Sequence, residues 1–298
     1  MGVLFEVGSD AVMKLLVLGS TGMLGSAMLQ VFSEQNGWDV YGSIRSGALR
    51  KLFPDEFRQS LVTVGDLSQL NELEAVFDKV EPQVVVNCVA PREIARQNPL
   101  DLFSMLSLLP HRLAYLCQKV NARLIHISSD GVFSGKLGGY TEDHMPDATD
   151  IYGISKLLGE VKGPKAVTIR TSIIGHELSG RTGLLEWFLR QKGECRCFTR
   201  AIFSGLPTVV LATVIRDLVI PMPELHGIYH VSSDPISKFD LLTIIAKEYG
   251  KTINIVADDT VVMDRSLISD RFREITEYEP PSWPELVRIM HTHTDMIL

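Results

Sequence analysis

Apolar residues in this chain fall into short unbroken runs, separated by longer stretches in which they recur every three or four positions. The run "KLLVLG" (14–19) reads as a strand closed by glycine, and "MLGSAMLQVFSEQ" (23–35) has helical spacing with Gly37 close behind it. "WDVYGSI" (38–44) and "LVTVGDL" (61–67) predict two more strands. A helix over 69–79 and the strand "QVVVNCVA" (83–90) come next. A long helical stretch over about 99–120 leads to "RLIHISSD" (123–130), again strand-like. A helix around Tyr152 and the strand "AVTIRTS" (166–172) continue the pattern.

Several of these runs are continuous Val, Ile and Leu with no alternation, which marks strands buried on both faces. Strands of that kind alternating with helices predict a parallel sheet covered on both sides. After residue 172 the alternation loosens. Helices are expected over 182–191, over 208–220 and from Ser237, with "ECRCFTRAIFSGLPT" (194–208) irregular and "GIYHVSS" (227–233) a strand. Ser237 with Asp240 forms a helix start and Gly250 a stop. The expected fold is α/β: a Rossmann-like doubly wound parallel sheet over 13–170, and a smaller C-terminal substrate-binding α/β lobe over 171–298. The strand near 227–233 is free to return to the main sheet.

Composition narrows the partners. A net charge of -7, with no basic run, gives no electrostatic case for nucleic acid. No apolar run is long enough to cross a membrane. The four cysteines, Cys88, Cys117, Cys195 and Cys197, contain no C-x-x-C pair and suit reduced thiols in the cytoplasm. The eight histidines show no metal-ligand spacing, no metal is expected, and "HTH" (291–293) reads as a solvated tail. Residues 1–12 lack the features of a signal peptide and read as an extension outside the fold.

The first strand runs straight into "GSTGMLG", where Gly19, Gly22 and Gly25 enclose Thr21, Met23 and Leu24 and open a helix. Glycines allow a tight turn and close backbone approach, and the helix N-terminus offers N–H groups to a pyrophosphate. A dinucleotide is therefore expected here. An NAD-binding chain usually places an acid about twenty residues further on; this chain has Arg45 and Ser46 at the end of the second strand. A guanidinium there suits the extra phosphate of NADPH, with Ser43 or Ser46 assisting and NADH the alternative. Asp66 and Leu67 end the third strand at the adenine edge, and Cys88 and Ala90 end the fourth beside the phosphates. The fifth strand ends in Ser128 and Ser129, where open α/β sheets bind ligands. Tyr152 and Lys156, four residues apart on the next helix, present phenol and ammonium on one face.

Together these residues resemble an extended short-chain dehydrogenase/reductase, and more narrowly the dTDP-4-dehydrorhamnose reductase family of nucleotide-sugar 4-keto reductases. "GSTGMLGSA", "SSDGVFSG", "PDATDIYGISKLLGE", "TIRTSIIGHEL", "FSGLPT" and "PPSWPEL" carry the resemblance over nearly the whole chain from residue 13. It implies NADPH-dependent reduction of a nucleotide-linked 4-keto-6-deoxy-hexose for cell-surface polysaccharide synthesis. Tyr152 would protonate the sugar carbonyl oxygen and Ser129 would hydrogen-bond it, with Ser128 the nearby alternative. Lys156 would hold the nicotinamide ribose and lower the phenol pKa from about 10. Asp130, Arg170, Ser204 and Pro207 would lie against substrate. A homodimer is compatible with such a chain.

Three positions depart from the family pattern. Gly131 replaces an aromatic, which points to opened space and a larger sugar such as a UDP-linked 2-acetamido compound. Phe203 stands where glutamine is common, and Leu106 where many relatives place an asparagine. Three rivals share the fold. An epimerase keeps NAD bound, which Arg45 argues against. A dehydratase usually carries an acid where Gly131 stands. A non-catalytic NADP-binding partner subunit, of the kind that binds methionine adenosyltransferase, gains some weight from Leu106.

Overall fold

The computed structural model describes residues 12–91, 98–180 and 182–293, so the bulk of the 1–12 extension lies outside the described residues. Its first half follows the hydrophobic pattern closely. Strand β1 (Met13–Leu18) is followed by α1 (Met23–Ser33), β2 (Trp38–Ile44), β3 (Leu61–Thr63), α2 (Leu70–Val80) and β4 (Val84–Asn87). The expected long helix is interrupted: α3 (Pro99–Leu102) and α4 (Leu109–Lys119) are joined by a π-turn over Phe103–Leu108. Then come β5 (Arg123–Ile127), α5 (Ile151–Leu158) and β6 (Ala166–Arg170). Every residue of β4, β5 and β6 is buried, as their unbroken apolar runs require.

The second half holds more strand than its sequence suggested. It runs β7 (Ile173–Ile174), α6 (Leu184–Arg190), β8 (Glu194–Phe198), β9 (Ala201–Phe203), β10 (Leu206–Pro207) and α7 (Thr208–Val214), which continues as a π-turn over Ile215–Val219. β11 (Gly227–His230), β12 (Ile236–Ser237), α8 (Lys238–Glu248), β13 (Asn254–Asp258), β14 (Met263–Asp264), α9 (Asp270–Thr276) and α10 (Trp283–Thr292) complete it. The stretch read as irregular over 194–208 therefore contains β8, β9 and β10. β8 pairs with β13, β9 lies between β12 and β14, and β10 pairs with β7. In β8, Cys195 and Cys197 are buried and their charged neighbours Glu194 and Arg196 exposed, a period-two pattern too short to stand out. The histidines read as a solvated tail belong to the end of α10. The His291 ring stacks on Tyr249 with centroids 4.2 Å apart, and its Nδ1 is 3.5 Å from Glu248.

The main sheet has seven strands in the order β11-β6-β5-β4-β1-β2-β3, with every neighbouring pair parallel. β11 has come back to the sheet from the second half, in register with β6 from Gly227 opposite Val167 to His230 opposite Arg170. One face packs on α1 through Leu15 and Val17, in a core that continues through Ile125 and Ile127 to residues of α7, α8 and α10. The other packs on α2 and α4 through Leu16, Leu18, Val85 and Leu124. The direction of winding reverses between β1 and β4, which opens a crevice at their carboxyl ends. No helix among the described residues is long and apolar enough to cross a membrane.

Candidate active site

The turn from β1 into α1 is shaped for close backbone approach. Gly19 adopts φ +84°, and a Cβ on Gly25 would stand 2.2 Å from the Gly19 carbonyl oxygen. Among the described residues α1 starts at Gly22 with no side-chain cap, which leaves first-turn N–H groups for another acceptor. An anion such as a pyrophosphate suits that helix end. Thr21, Gly22, Met23 and Leu24 line a cleft of about 390 Å³, which continues past Cys88, Ala90 and Pro91 at the end of β4. Burial pushes the Cys88 thiol up to about 12, so it meets a ligand as a neutral wall.

Arg45 and Ser46 are exposed at the end of β2, outside the cleft lining. The Ser46 hydroxyl accepts from the Ala48 N–H at 3.4 Å, heading a short 3-10 turn. Ser43 is committed elsewhere, accepting from the Gly19 N–H at 3.0 Å. Asp66 caps the approach to α2 by accepting from the Ser68 N–H at 2.8 Å. Hydrogen bonds from Ser68, then Gln69 and the Arg45 charge, hold its carboxyl below the usual range. Leu67 is half-buried against the second core face. The structure thus offers a glycine turn and an uncapped helix end in the cleft, with Arg45 exposed beyond β2.

At the other end of the cleft, Asp150 caps α5 by accepting from the Gly153 N–H at 2.9 Å. This helix presents Tyr152 and Lys156. Lys156 is 4% exposed and donates from Nζ to the Ile127 carbonyl at 2.9 Å. Ser129 accepts from the Gly131 N–H at 2.9 Å and donates to Asp130 Oδ1 at 3.0 Å. Burial raises the Asp130 carboxyl above its ordinary value. Ser129, Tyr152 and Lys156 line the same cleft as the glycine turn.

Sequence reasoning missed the wall opposite. Thr171, Ser172 and Ile173 follow β6, and Glu177, Ser179, Thr182 and Gly183 lie on the loop beyond. Glu177 Oε2 accepts from the N–H groups of Thr182 (2.8 Å) and Gly183 (3.0 Å), tying these lining residues together. The usable signal was topological: loops after the carboxyl ends of parallel strands are where such sheets bind ligands.

Other expected contacts are placed differently. Ser128 lines the cleft, and its hydroxyl donates to Glu160 Oε1 at 2.9 Å. Arg170 is 3% exposed and forms a two-point ion pair with Glu160, so it lies behind the cleft instead of facing substrate. Ser204 is buried and accepts from the Leu267 N–H at 2.9 Å; Pro207 is buried in β10. The Phe203 ring packs 5.7 Å from that of Trp283. "FSGLPT" thus joins the small sheets, and none of its residues lines the cleft. Gly131 opens no space either: a Cβ there would lie 3.1 Å from both Ser129 Oγ and Tyr152 Cε1. Its missing side chain lets the Tyr152 ring close onto the strand end. Leu106 is buried in the π-turn, with its carbonyl directed at Gly159.

Comparison with known proteins places this geometry. The spore coat polysaccharide biosynthesis protein SpsK of Bacillus subtilis is 29% identical over 294 residues, 92% of this chain and 95% of that protein. Methionine adenosyltransferase 2 subunit beta of Rattus norvegicus is 34% identical over 261 residues, 80% of this chain and 72% of that protein. Among solved structures, dTDP-4-dehydrorhamnose reductase from Bacillus anthracis in complex with NADP superposes with a TM-score of 0.77 at 22% identity, covering 95% of this chain and all of that one. The family profile described as the RmlD substrate binding domain matches residues 13–264. With that match spanning most of its length, the chain belongs to the RmlD substrate-binding-domain family, within the extended short-chain dehydrogenases/reductases.

Proposed function

We propose that this oxidoreductase reduces the 4-keto group of a nucleotide-linked 4-keto-6-deoxy-hexose with NADPH. The observation that carries the reading is the placement of Ser129, Tyr152 and Lys156 on one wall of the cleft whose far end is the glycine turn. NADPH, when bound, supplies the hydride. The first turn of α1, with Thr21 to Leu24, holds the pyrophosphate, and Arg45 with Ser46 meets the adenosine 2′-phosphate. Lys156, fixed by its bond to the Ile127 carbonyl, holds the nicotinamide ribose and supports the phenolate left when Tyr152 gives up its proton. Tyr152 delivers that proton to the sugar carbonyl oxygen. Ser129 hydrogen-bonds the same oxygen as negative charge develops on it.

A role in polysaccharide or glycan synthesis is supported by SpsK and by a 26% identical reductase of Haloferax volcanii named for low-salt glycan biosynthesis. Because Gly131 makes no extra room, it does not favour the acetamido sugar over the simpler one.

The test is NADPH oxidation with dTDP- and UDP-linked 4-keto-6-deoxy sugars offered in parallel and NADH as the comparison cofactor. We expect turnover with at least one sugar and a clear preference for NADPH. Tyr152→Phe should lose roughly a hundredfold or more in kcat while binding NADPH normally. The similarity to methionine adenosyltransferase 2 subunit beta supports a second reading, a nucleotide-binding partner subunit. Tight NADPH binding without turnover of any sugar, and a binding role that survives Tyr152→Phe, would favour it.

A further inference from the structure

We infer that Glu160 is a positioning residue for the reaction: through Ser128 it sets the spacing between Ser129 at the end of β5 and Tyr152 on α5. The inference rests on the reductase reading. Tyr152, Lys156 and Glu160 are spaced four residues apart, so Glu160 forms a third rung just beyond the end of α5. Its carboxylate is 4% exposed and fully engaged. Oε1 accepts from Ser128 Oγ at 2.9 Å and Arg170 Nε at 2.7 Å, and Oε2 accepts from Arg170 Nη2 at 2.8 Å.

Each bond in this buried chain has one direction. Arg170 Nη1 lies 3.4 Å from His230 Nε2. A guanidinium can only donate, so Nε2 accepts and the ring proton sits on Nδ1. That nitrogen faces the carbonyls of Tyr140 (3.1 Å) and Ile268 (3.2 Å), both acceptors. The Arg170 guanidinium also lies 5.3 Å over the Phe133 ring, which stacks on Tyr140 at 4.2 Å. A network whose bonds each run in one direction resists sliding.

The network sits where it bears on the chemistry. Lys156 grips the Ile127 carbonyl, and Glu160 grips the Ser128 hydroxyl, so two successive residues of one strand end are tied to the α5 segment. The Ser128 N–H is fixed to the Ile169 carbonyl at 2.7 Å. Ser129 follows immediately and reaches the cleft. Ser128 therefore aligns its neighbour instead of polarising the carbonyl itself.

The decisive variant is Ser128→Ala in the full chain. It removes the bond between strand end and Glu160 but leaves the buried ion pair intact, so the protein stays folded. Ser128→Thr restores the hydroxyl. Kinetics are read with whichever sugar the wild type turns over. NADPH affinity is read by fluorescence, and the distance from Ser129 Oγ to Tyr152 Oη by crystallography of the NADPH complexes. Ser128→Ala should keep its NADPH affinity and KM within about twofold and lose roughly ten- to a hundredfold in kcat. The Ser129–Tyr152 distance should widen, and Ser128→Thr should recover most of both. Wild-type kcat in Ser128→Ala, or an unchanged distance, overturns the inference. If the wild type turns over none of the sugars, the reductase reading fails, and the crystallographic distance still decides the positioning claim.

Discussion

Gly131 shows how one missing side chain sets the geometry of a reacting group. With no Cβ, it lets the Tyr152 ring and the Ser129 hydroxyl approach within a distance that a methyl group would contest from both sides. The helix makes the same approach from its own side, because a Cβ on Gly153 would stand 2.2 Å from the Gly131 carbonyl oxygen. Gly131→Ala should therefore lower kcat by about tenfold through a displaced phenol. The affinity for NADPH, whose pyrophosphate would sit on the glycine turn away from Gly131, should change by no more than about twofold. Fluorescence titration beside steady-state kinetics checks this, and a parallel loss of cofactor binding would place the residue differently. The identity of Gly131 was visible in the sequence. Its effect was not, because a string of letters does not say whether an absent side chain leaves a hole or is filled by a neighbour.

At the scale of elements, local chemistry predicted well wherever it acts within one turn. Ser237 accepts from the Asp240 N–H at 3.0 Å and donates to Asp240 Oδ2 at 2.6 Å, the reciprocal start of α8 read from S-x-x-D. Gly250, at φ +60°, ends it in the left-handed region. Ser237→Ala should cost about 1 kcal/mol of stability, read as a lower urea midpoint with unchanged cofactor affinity. The π-turns at Phe103–Leu108 and Ile215–Val219 were not legible. Their extra residue per turn is imposed by packing, as where the Ser107 hydroxyl bonds the Ser155 carbonyl of α5 at 2.9 Å. Short strands were missed for a related reason. Two or three residues carry no detectable period, and pairing with a distant partner makes them strands.

For the whole molecule, burial of neutral histidines ties stability to pH. Desolvation, then the charges of Arg170 and Arg271, takes His230 to about 3 from an ordinary 6.5. His126 is also held well below 6.5, by burial first and then by the charges of Lys156 and His111. The unfolded chain binds protons at both positions below pH 6.5 while the folded one does not. The contribution to stability is therefore complete above pH 6.5 and is lost as pH falls below it. For His230 that loss runs from pH 6.5 down to about 3, and His126 adds to it in the same direction. Urea unfolding at pH 7 and pH 5 checks the direction, and His230→Gln should flatten the slope at lower overall stability.

The sequence by itself determined the doubly wound sheet, because strands buried on both faces need continuous apolar runs and the chain spells them out in order. It also determined the glycine turn, the serine at the end of β5, and the tyrosine and lysine of α5, since each depends on residue type and a spacing within one element. Tertiary structure alone decided what the Ser128 hydroxyl bonds. The motif favoured Ser129 with Ser128 as the alternative, and only the fold brings a carboxylate 32 residues away to accept from the Ser128 hydroxyl. It likewise decided that Arg170 is an internal brace, and that the loop after β6 forms the opposite wall. Pairings between distant residues depend on where the folded chain brings each partner, and no local pattern records that.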